Sequence, residues 1–313
     1  MRKRVFLVIL CVLLLAGCTA QPVILGPDQV THIFTDDTGR EIRVTEKPGT
    51  VAVLTSSLAD LWLTAGGSVD ITVGETLERG FVSEDVIFVD DGAGKSINLE
   101  LLIASEPDLV LYSSDLAGQL ECAEALNDAG IPAAGFAVET FQDYLVLLDI
   151  CVRILDTGER FREYGSEVLR EVEAMKAAAR NQENRPDILF VRAGSSAKYT
   201  KAKTAENHFV CAMLKELGTH NIAEKAPILL DGLSTEEILL SDPDFIFYTT
   251  MGDESAGTAY MESLTADPVW QSMTAVREGR VYMLPKELFQ YKPNARWGEA
   301  YAYLIELLYG EIL

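Results

Sequence analysis

The chain has 313 residues, 48% of them apolar, which is enough to fill two cores of ordinary size. Its 48 acidic and 26 basic residues give a formal net charge of −22 at pH 7, which argues against nucleic acid or any other polyanion as a partner. Five cysteines without CxxC spacing argue against a disulfide framework.

Arg2, Lys3 and Arg4 open the chain, residues 5–15 form an apolar run of secretory-signal length, and Leu15-Ala16-Gly17-Cys18 closes it. The run is too short to span a bilayer as a mature helix, and no later segment is long enough. A small-residue site ending in Cys resembles the bacterial lipobox. That implies removal of residues 1–17 and lipidation of Cys18; an ordinary signal peptide with an incidental Cys is the alternative. Two or more acyl chains, at about 0.8 kcal/mol per buried methylene, hold a soluble protein at a membrane. Cleavage removes three basic residues and no acid, taking the net charge from −22 to −25. Residues 18–32 then read as the lipidated Cys and a flexible tether that includes His32. With Cys11 removed and Cys18 lipidated, Cys122, Cys151 and Cys211 remain, an odd set expected to be buried thiols.

Residues 34–44 (FTDDTGREIRV) predict a hairpin turning at Asp37-Thr38-Gly39, and 50–54 a short apolar strand of the parallel-sheet type. Helical spacing follows over 58–65. Short strands are expected at 71–73, 86–89, 109–112 and 133–138, with a helix at 116–129. Residues 142–155 read as an apolar helix and 159–180 as a long charged amphipathic one. Residues 181–186 are polar and end in Pro186, so a second unit opens near Asp187 with a strand at 187–191. A helix at 208–217, a strand at 245–248, a helix at 268–277, a strand at 280–284 and a closing helix at 296–308 complete the pattern. Alternation of this kind predicts α/β lobes, each a mostly parallel sheet flanked by helices. The expected division is 33–156 for the N-terminal lobe, 157–182 for a connecting helix and 183–313 for the C-terminal lobe.

Two stretches repeat. Residues 97–112 read INLELLIASEPDLVLY and 233–248 read LSTEEILLSDPDFIFY. Aligning Glu100 with Glu236 and Pro107 with Pro243 gives one offset of 136 residues for both pairs. Each half therefore holds a short helix start, a Pro-Asp turn and an apolar run ending in Tyr, which predicts two similar lobes working across a shared cleft. Joined by one stiff helix, such lobes are expected to close by only a modest angle.

The hairpin at 37–44, the strand and helix of 50–66, the two repeats and residues 270–285 (WQSMTAVREGRVYMLP) together resemble the substrate-binding lipoproteins of iron-siderophore, heme and cobalamin ABC importers. The resemblance covers about residues 34–308. It implies two α/β lobes joined by one long rigid helix, a shallow cleft for one bulky ligand, an ABC permease with its ATPase as partners, and a monomer anchored outside the cell membrane by lipid. In the cobalamin-binding member, a glutamate at each matching helix start docks into permease arginines; here these positions are Glu100 and Glu236. Both are also favourable helix-start residues, with Asn98 and Ser234 as N-caps and Glu237 placed for a capping box.

Open α/β sheets bind ligands at the carboxyl ends of their strands. That rule selects Ser56, Ser57, Glu75, Arg79, Ser113, Ser114 and Asp115 in the first lobe. In the second it selects 192–199, 249–253 and 285–291, among them Arg192, Lys198, Tyr199, Thr250 and Tyr291, with Lys292 and Arg296 just beyond. Arg192, Lys198, Lys201 and Lys203 stand together against an acidic background, a set suited to carboxylates, phenolates or heme propionates. Tyr248, Phe289, Tyr291 and Trp297 offer flat apolar contact, or are simply core. No intrinsic cofactor is expected; the ligand would be a metal chelate such as a ferric siderophore, heme or corrinoid.

Bare metal fits poorly, because only His32, His208 and His220 are available; His208 as an axial heme ligand is the remaining metal role. There is no Gly-x-Ser-x-Gly, Gly-rich phosphate loop or HExxH. Ser195-Ser196-Ala197-Lys198 matches the short Ser-x-x-Lys pattern, leaving a surface hydrolase using Ser195 and Lys198 as one alternative and a sensing surface protein without transport as another.

Overall fold

The computed structural model describes residues 32–44, 47–90 and 96–310. The expected leader, Cys18 and residues 19–31 lie outside them. β1 (His32–Thr35) and β2 (Glu41–Val44) pair antiparallel. Asp36 builds the turn: one carboxylate oxygen accepts from the Thr38 and Arg40 amides, each at 3.0 Å, and the other from the Gly135 amide at 2.9 Å. His32 belongs to this hairpin rather than to the tether, because the register His32↔Val44 extends the ladder to it.

Central runs rich in Val, Ile and Leu, covered on both faces, are flanked by shorter, partly exposed edge strands. In the first lobe these are β3 (Val51–Val53), β4 (Ile71–Thr72), β5 (Ile87–Phe88), β6 (Leu109–Ser113) and β7 (Ala133–Phe136), all parallel in the order β5-β4-β3-β6-β7. In the second they are β8 (Asp187–Ala193), β9 (Lys201–Ala202), β10 (His220–Asn221), β11 (Phe245–Thr250) and β12 (Val281–Met283). Their order is β10-β8-β11-β12, parallel, with β9 antiparallel on β8. Leaving out β5 and β9, the two sheets have one topology. His220, expected in a loop, lies in β10.

The sequence repeat has a structural cause. Asp108 and Asp244, at matching positions, each hold the start of the neighbouring strand. Asp108 accepts from the Gly49 and Thr50 amides at 2.8 and 2.9 Å, and Asp244 accepts from the Asp187 amide at 2.9 Å. Their own amides return bonds of 2.8 Å to the Thr50 and Asp187 carbonyls. Glu106 and Asp242, the residues before each Pro-Asp, both turn left-handed with φ of 47° and 41°. A helix cannot run into a proline, so each turn ends its helix and starts its strand.

One continuous helical rod runs from Gly158 to Arg180, with a wider π-type stretch over Phe161–Glu167. It is pinned at its start, where the Thr157 hydroxyl and Arg160 guanidinium donate to the Ala65 and Thr64 carbonyls at 2.6 and 2.9 Å. These are the carbonyls that the helix Ser56–Thr64 leaves unpaired at its C-terminus. The closing helix Trp297–Tyr309 packs along the rod so tightly that a methyl at Gly298 would lie 2.9 Å from Glu171 Cβ. Trp297 is 1% exposed and meets Phe141 of the first lobe and Phe209 of the second edge-on, at 5.9 and 5.8 Å. Cys122, Cys151 and Cys211 are free and buried.

Two segments depart from the sequence reading. Residues 268–277 do not make one helix: a turn at Trp270–Ser272 precedes a helix at Thr274–Arg277, because Asp242 takes the Thr274 amide at 2.7 Å and its hydroxyl at 2.8 Å and so restarts the helix there. The helix Glu254–Thr265 was not legible, since Gly257 and weak apolar periodicity blur it. Asp253 caps it, and Gly257 lets it approach the Ala193 carbonyl, which a Cβ would meet at 3.0 Å.

Trp297→Ala should lower unfolding free energy by about 3–5 kcal/mol, the range for a large buried aromatic, as read from urea denaturation.

Candidate ligand-binding cleft

The carboxyl ends of β3, β4 and β7 face the segment that follows β12, and the polar contacts there cross from one lobe to the other. Ser56 and Ser57 open the helix after β3, and Glu75 and Arg79 belong to the short helix Gly74–Glu78 and its cap after β4. The Ser56 hydroxyl donates to Glu75 Oε2 at 2.5 Å, and Arg79 Nη1 reaches Ser56 Oγ at 3.1 Å. The Arg79 guanidinium lies 4.0 Å from the Tyr291 ring centre and 4.6 Å from that of Phe81. Glu287, in the helix Lys286–Phe289, stands 3.7 Å from Arg79 Nη2, and Lys286 sits 5.0 Å from the same Tyr291 ring. Arg79 and Tyr291, both selected by the strand-end rule, thus meet across the cleft.

Below them the lobes are stitched. Asn294, left-handed at φ 50° and 1% exposed, donates through Nδ2 to the Ser57 carbonyl and to Asp60 Oδ2, both at 2.8 Å. Burial pushes the Asp60 carboxyl above its ordinary range, opposed by the Asn294 bond and by Arg79 and Arg296. Lys292 pairs with Glu139, in the loop after β7, at 2.6 Å. Burial first, and Glu139 second, raise the Asp115 carboxyl, with Lys292 opposing.

The second-lobe wall carries the opposite sign. Arg192 on β8 lies directly across from Lys201 on β9 in the ladder. Like charges at paired positions repel, and neither has an acidic partner among the described residues. Lys203, also unpaired, titrates below the usual lysine range, through burial first and then through Arg192 and Lys201. Beside them, His208 caps the helix Phe209–Glu216, its Nδ1 accepting from the Val210 amide at 3.3 Å. Its ring is flanked by Phe190 at 4.5 Å and Phe209 at 5.3 Å. Burial pushes its pKa down to about 3, helped by Lys292, Arg192 and Lys203. The imidazole is therefore neutral at physiological pH, with Nδ1 committed to the cap.

Other selected residues are placed differently. Lys198 lies 5.3 Å from the ring of Tyr199, which is 50% exposed, so this pair stands at the rim. Thr250 is 4% exposed, with its methyl packed toward Gly257, so it is buried at the end of β11. Arg296 is engaged by Glu299 through two bonds of 2.7 and 2.8 Å. Ser114 is half-buried at the end of β6, its amide donating to the Phe136 carbonyl. Tyr248, Phe289 and Trp297 are core, and Tyr248 instead helps line a cavity of about 290 Å³ on the far side of its lobe. Ser195 and Lys198 share no hydrogen bond among the described residues, so the Ser-x-x-Lys pair is not assembled. No group of three or more His, Cys, Asp or Glu side chains is placed to hold a metal ion among the described residues.

Sequence reasoning did not single out Glu139, Asn294, Asp60 or Glu287. Glu139 follows a strand end and Glu287 lies within a selected loop, so the topological rule reached their neighbourhood; Asn294 and Asp60 carry no comparable signal.

Glu100 and Glu236 are both exposed in the first turns of the helices Leu99–Ala104 and Thr235–Ser241. Asn98 accepts from the Leu101 amide at 3.0 Å and Ser234 from the Glu237 amide at 3.4 Å. The capping box at Ser234 is only half made, since the Ser234 amide donates to the Gly232 carbonyl and not to Glu237. Neither Glu100 nor Glu236 has a polar partner among the described residues.

Twin parallel α/β lobes on one helical strut, with strand ends meeting at a charged cleft, define a two-lobed solute-binding protein. The family model for periplasmic binding proteins matches residues 51–288, and the chain belongs to that family. Its members deliver small molecules to ABC permeases, and they are extracytoplasmic binding proteins rather than enzymes. The chain is 22% identical over 287 residues to the Fe(3+)-citrate-binding protein YfmC of Bacillus subtilis (strain 168), covering 88% of this chain and 86% of that one. Its fold matches Staphylococcus aureus SirA complexed with staphyloferrin B, with a TM-score of 0.70, 17% identity, and coverage of 90% and 100%. It also matches the heme-binding protein RhuT of Roseiflexus sp. RS-1, with a TM-score of 0.68, 19% identity, and coverage of 84% and 99%. No helix of the described residues is long and apolar enough to cross a membrane.

A histidine held neutral only in the folded state makes stability rise with pH. The unfolded imidazole binds a proton below about pH 6.5, while the folded one resists until about 3, so stability is full above the upper value and is lost as pH falls between them. His208→Asn keeps an N-cap acceptor, and the drop in melting temperature from pH 7.5 to 5.0 should be smaller in this variant than in the wild type.

Proposed function

We propose that the protein is the capture component of an ABC importer for an anionic ferric chelate, lipid-tethered through Cys18, working as a monomer and docking on its permease through Glu100 and Glu236. The observation that carries this reading is the second-lobe wall. Arg192, Lys201 and Lys203 repel one another with no acid paired to them among the described residues, in a chain whose net charge is −22. Such a cluster is costly when empty and becomes favourable when a ligand brings several oxyanions to it. A polycarboxylate, catecholate or propionate-bearing ligand fits; a neutral corrinoid does not use these charges. The relative named for ferric citrate, and the structural neighbours named for staphyloferrin B and for heme, support the same direction. Ser57, Arg79, Ser114, Arg192, Lys198, Tyr199 and Tyr291 are the residues through which the ligand would be held, Ser56 and Arg296 acting by positioning Arg79 and the cleft floor.

Arg192→Ala should weaken ferric citrate, or a carboxylate siderophore if that is the better ligand, by about 1.5–3 kcal/mol, the range for hydrogen bonds to charged groups. Fluorescence titration measures this, and an unchanged Kd would remove Arg192 from the site.

The docking role rests on two exposed acids at equivalent helix starts in two lobes, facing arginines of a permease; such pairs steer encounter more than they tighten it. The double charge reversal E100K/E236K should abolish iron uptake by cells while ligand affinity in solution stays at the wild-type value. Normal uptake together with lost affinity would overturn that assignment.

A further inference from the structure

We propose that Glu287 is a built-in competitor for the ligand at Arg79: a carboxylate from the second lobe stands at the guanidinium that a ligand oxyanion takes when the lobes part, and so sets the threshold for anionic ligands. The inference rests on the reading of the cleft as a site for anionic ferric chelates.

A guanidinium has five N–H donors. The Arg79 side chain is only 7% exposed, yet it makes one good hydrogen bond, to Ser56 at 3.1 Å, and a second at the limit of range, to Ser57 at 3.5 Å. Its Nε is buried with no partner. Glu287 stands 3.7 Å from Nη2, close enough for charge attraction and too far for a hydrogen bond. A buried arginine with donors unmade is unfavourable, and the shortfall is explained if those donors serve a different state of the molecule.

Among the described residues, the second-lobe groups seen against Arg79 come from one short segment. Glu287 approaches Nη2, the Tyr291 ring stacks at 4.0 Å, and Lys286 backs that ring at 5.0 Å. Separation of the lobes lifts these groups together and uncovers the guanidinium. Glu75, a first-lobe acid beside Ser56, is already engaged by the Ser56 hydroxyl at 2.5 Å and stays with its own lobe. Glu287 is different: its side chain is 57% exposed, so it returns to water at little cost when a ligand oxyanion replaces it. Ligands without a negative charge cannot make that exchange, so Glu287 discriminates against them at this position.

The test uses the full mature chain, with ferric citrate as the anionic probe and an uncharged ferric trihydroxamate as the neutral one. Glu287→Gln should tighten ferric citrate about two- to fivefold, the range of an exposed ion pair, and leave the neutral chelate unchanged. In the E287Q/R79Q double variant that gain should vanish. Without ligand, hydrogen exchange of the 286–292 segment should be faster in E287Q than in wild type at low salt, and the difference should close at high salt. Equal or weaker ferric citrate binding by E287Q, or a gain that survives R79Q, overturns the proposal. If wild type binds neither chelate, the ferric-chelate reading falls separately; exchange then decides alone, and unchanged exchange overturns the latch.

Discussion

The fold depends on one apolar seam that runs through both lobes, with Trp297 at its centre. Its edge contacts to Phe141 and Phe209 join a helix of the first lobe to a helix of the second, and the rod Gly158–Arg180 closes the seam along the helix that Trp297 begins. Buried aromatic area of this kind is non-directional in its driving force but sharp in its packing. It therefore fixes the base of the molecule while leaving the mouth to be decided by weaker polar contacts. At the mouth the lobes meet through Arg79, Glu287 and Tyr291, the Lys292–Glu139 pair, the Lys292 amide on the Ser57 hydroxyl and the Asn294 bonds. Each of these is worth little beside the seam, which holds the floor of the cleft more firmly than its mouth.

That division lets charge do the selecting. The first-lobe wall is acidic around Glu75, Asp115 and Glu139, while the second is basic at Arg192, Lys201 and Lys203. Had every cation been paired with an acid, the cleft would be stable and indifferent. The Arg192–Lys201 cross-strand pair runs against the usual preference of a β-ladder, and a departure from local rules at a cleft marks function more often than error. His208 adds to this wall a group kept neutral by burial first, and then by the nearby cations Lys292, Arg192 and Lys203.

The doubled architecture was legible because its cause is local. Asp108 and Asp244 must hold the start of the next strand, and Glu106 and Asp242 must turn left-handed before a proline, so the same letters recur at the same offset. The central strands were legible for a related reason, since runs buried on both faces have little choice of residue; β9 and β10, two residues each with an exposed Lys201 and His220, carried no such signal. What escaped were contacts between residues far apart in the chain, with Asn294 and Ser57 separated by 237 positions and Lys292 and Glu139 by 153. No periodicity relates such residues. The burial of Thr250 was not legible for a different reason, because the strand-end rule selects a position and is silent on exposure; β11 runs on to Thr250, and its methyl packs toward Gly257.

The two exposed glutamates show why a structural role and a docking role need not compete. An acid in the first turn of a helix is favoured by the exposed amides there, by about 0.3–1 kcal/mol, whether or not a partner exists. Asn98 and Ser234 already take the amides that need a cap, so the carboxylates of Glu100 and Glu236 are not spent on the helices that carry them. Each helix thus presents a charge that no side chain among the described residues neutralises. Duplication then sets the two charges at equivalent helix starts of twin lobes. A permease surface with two matching basic sites would read both charges at once.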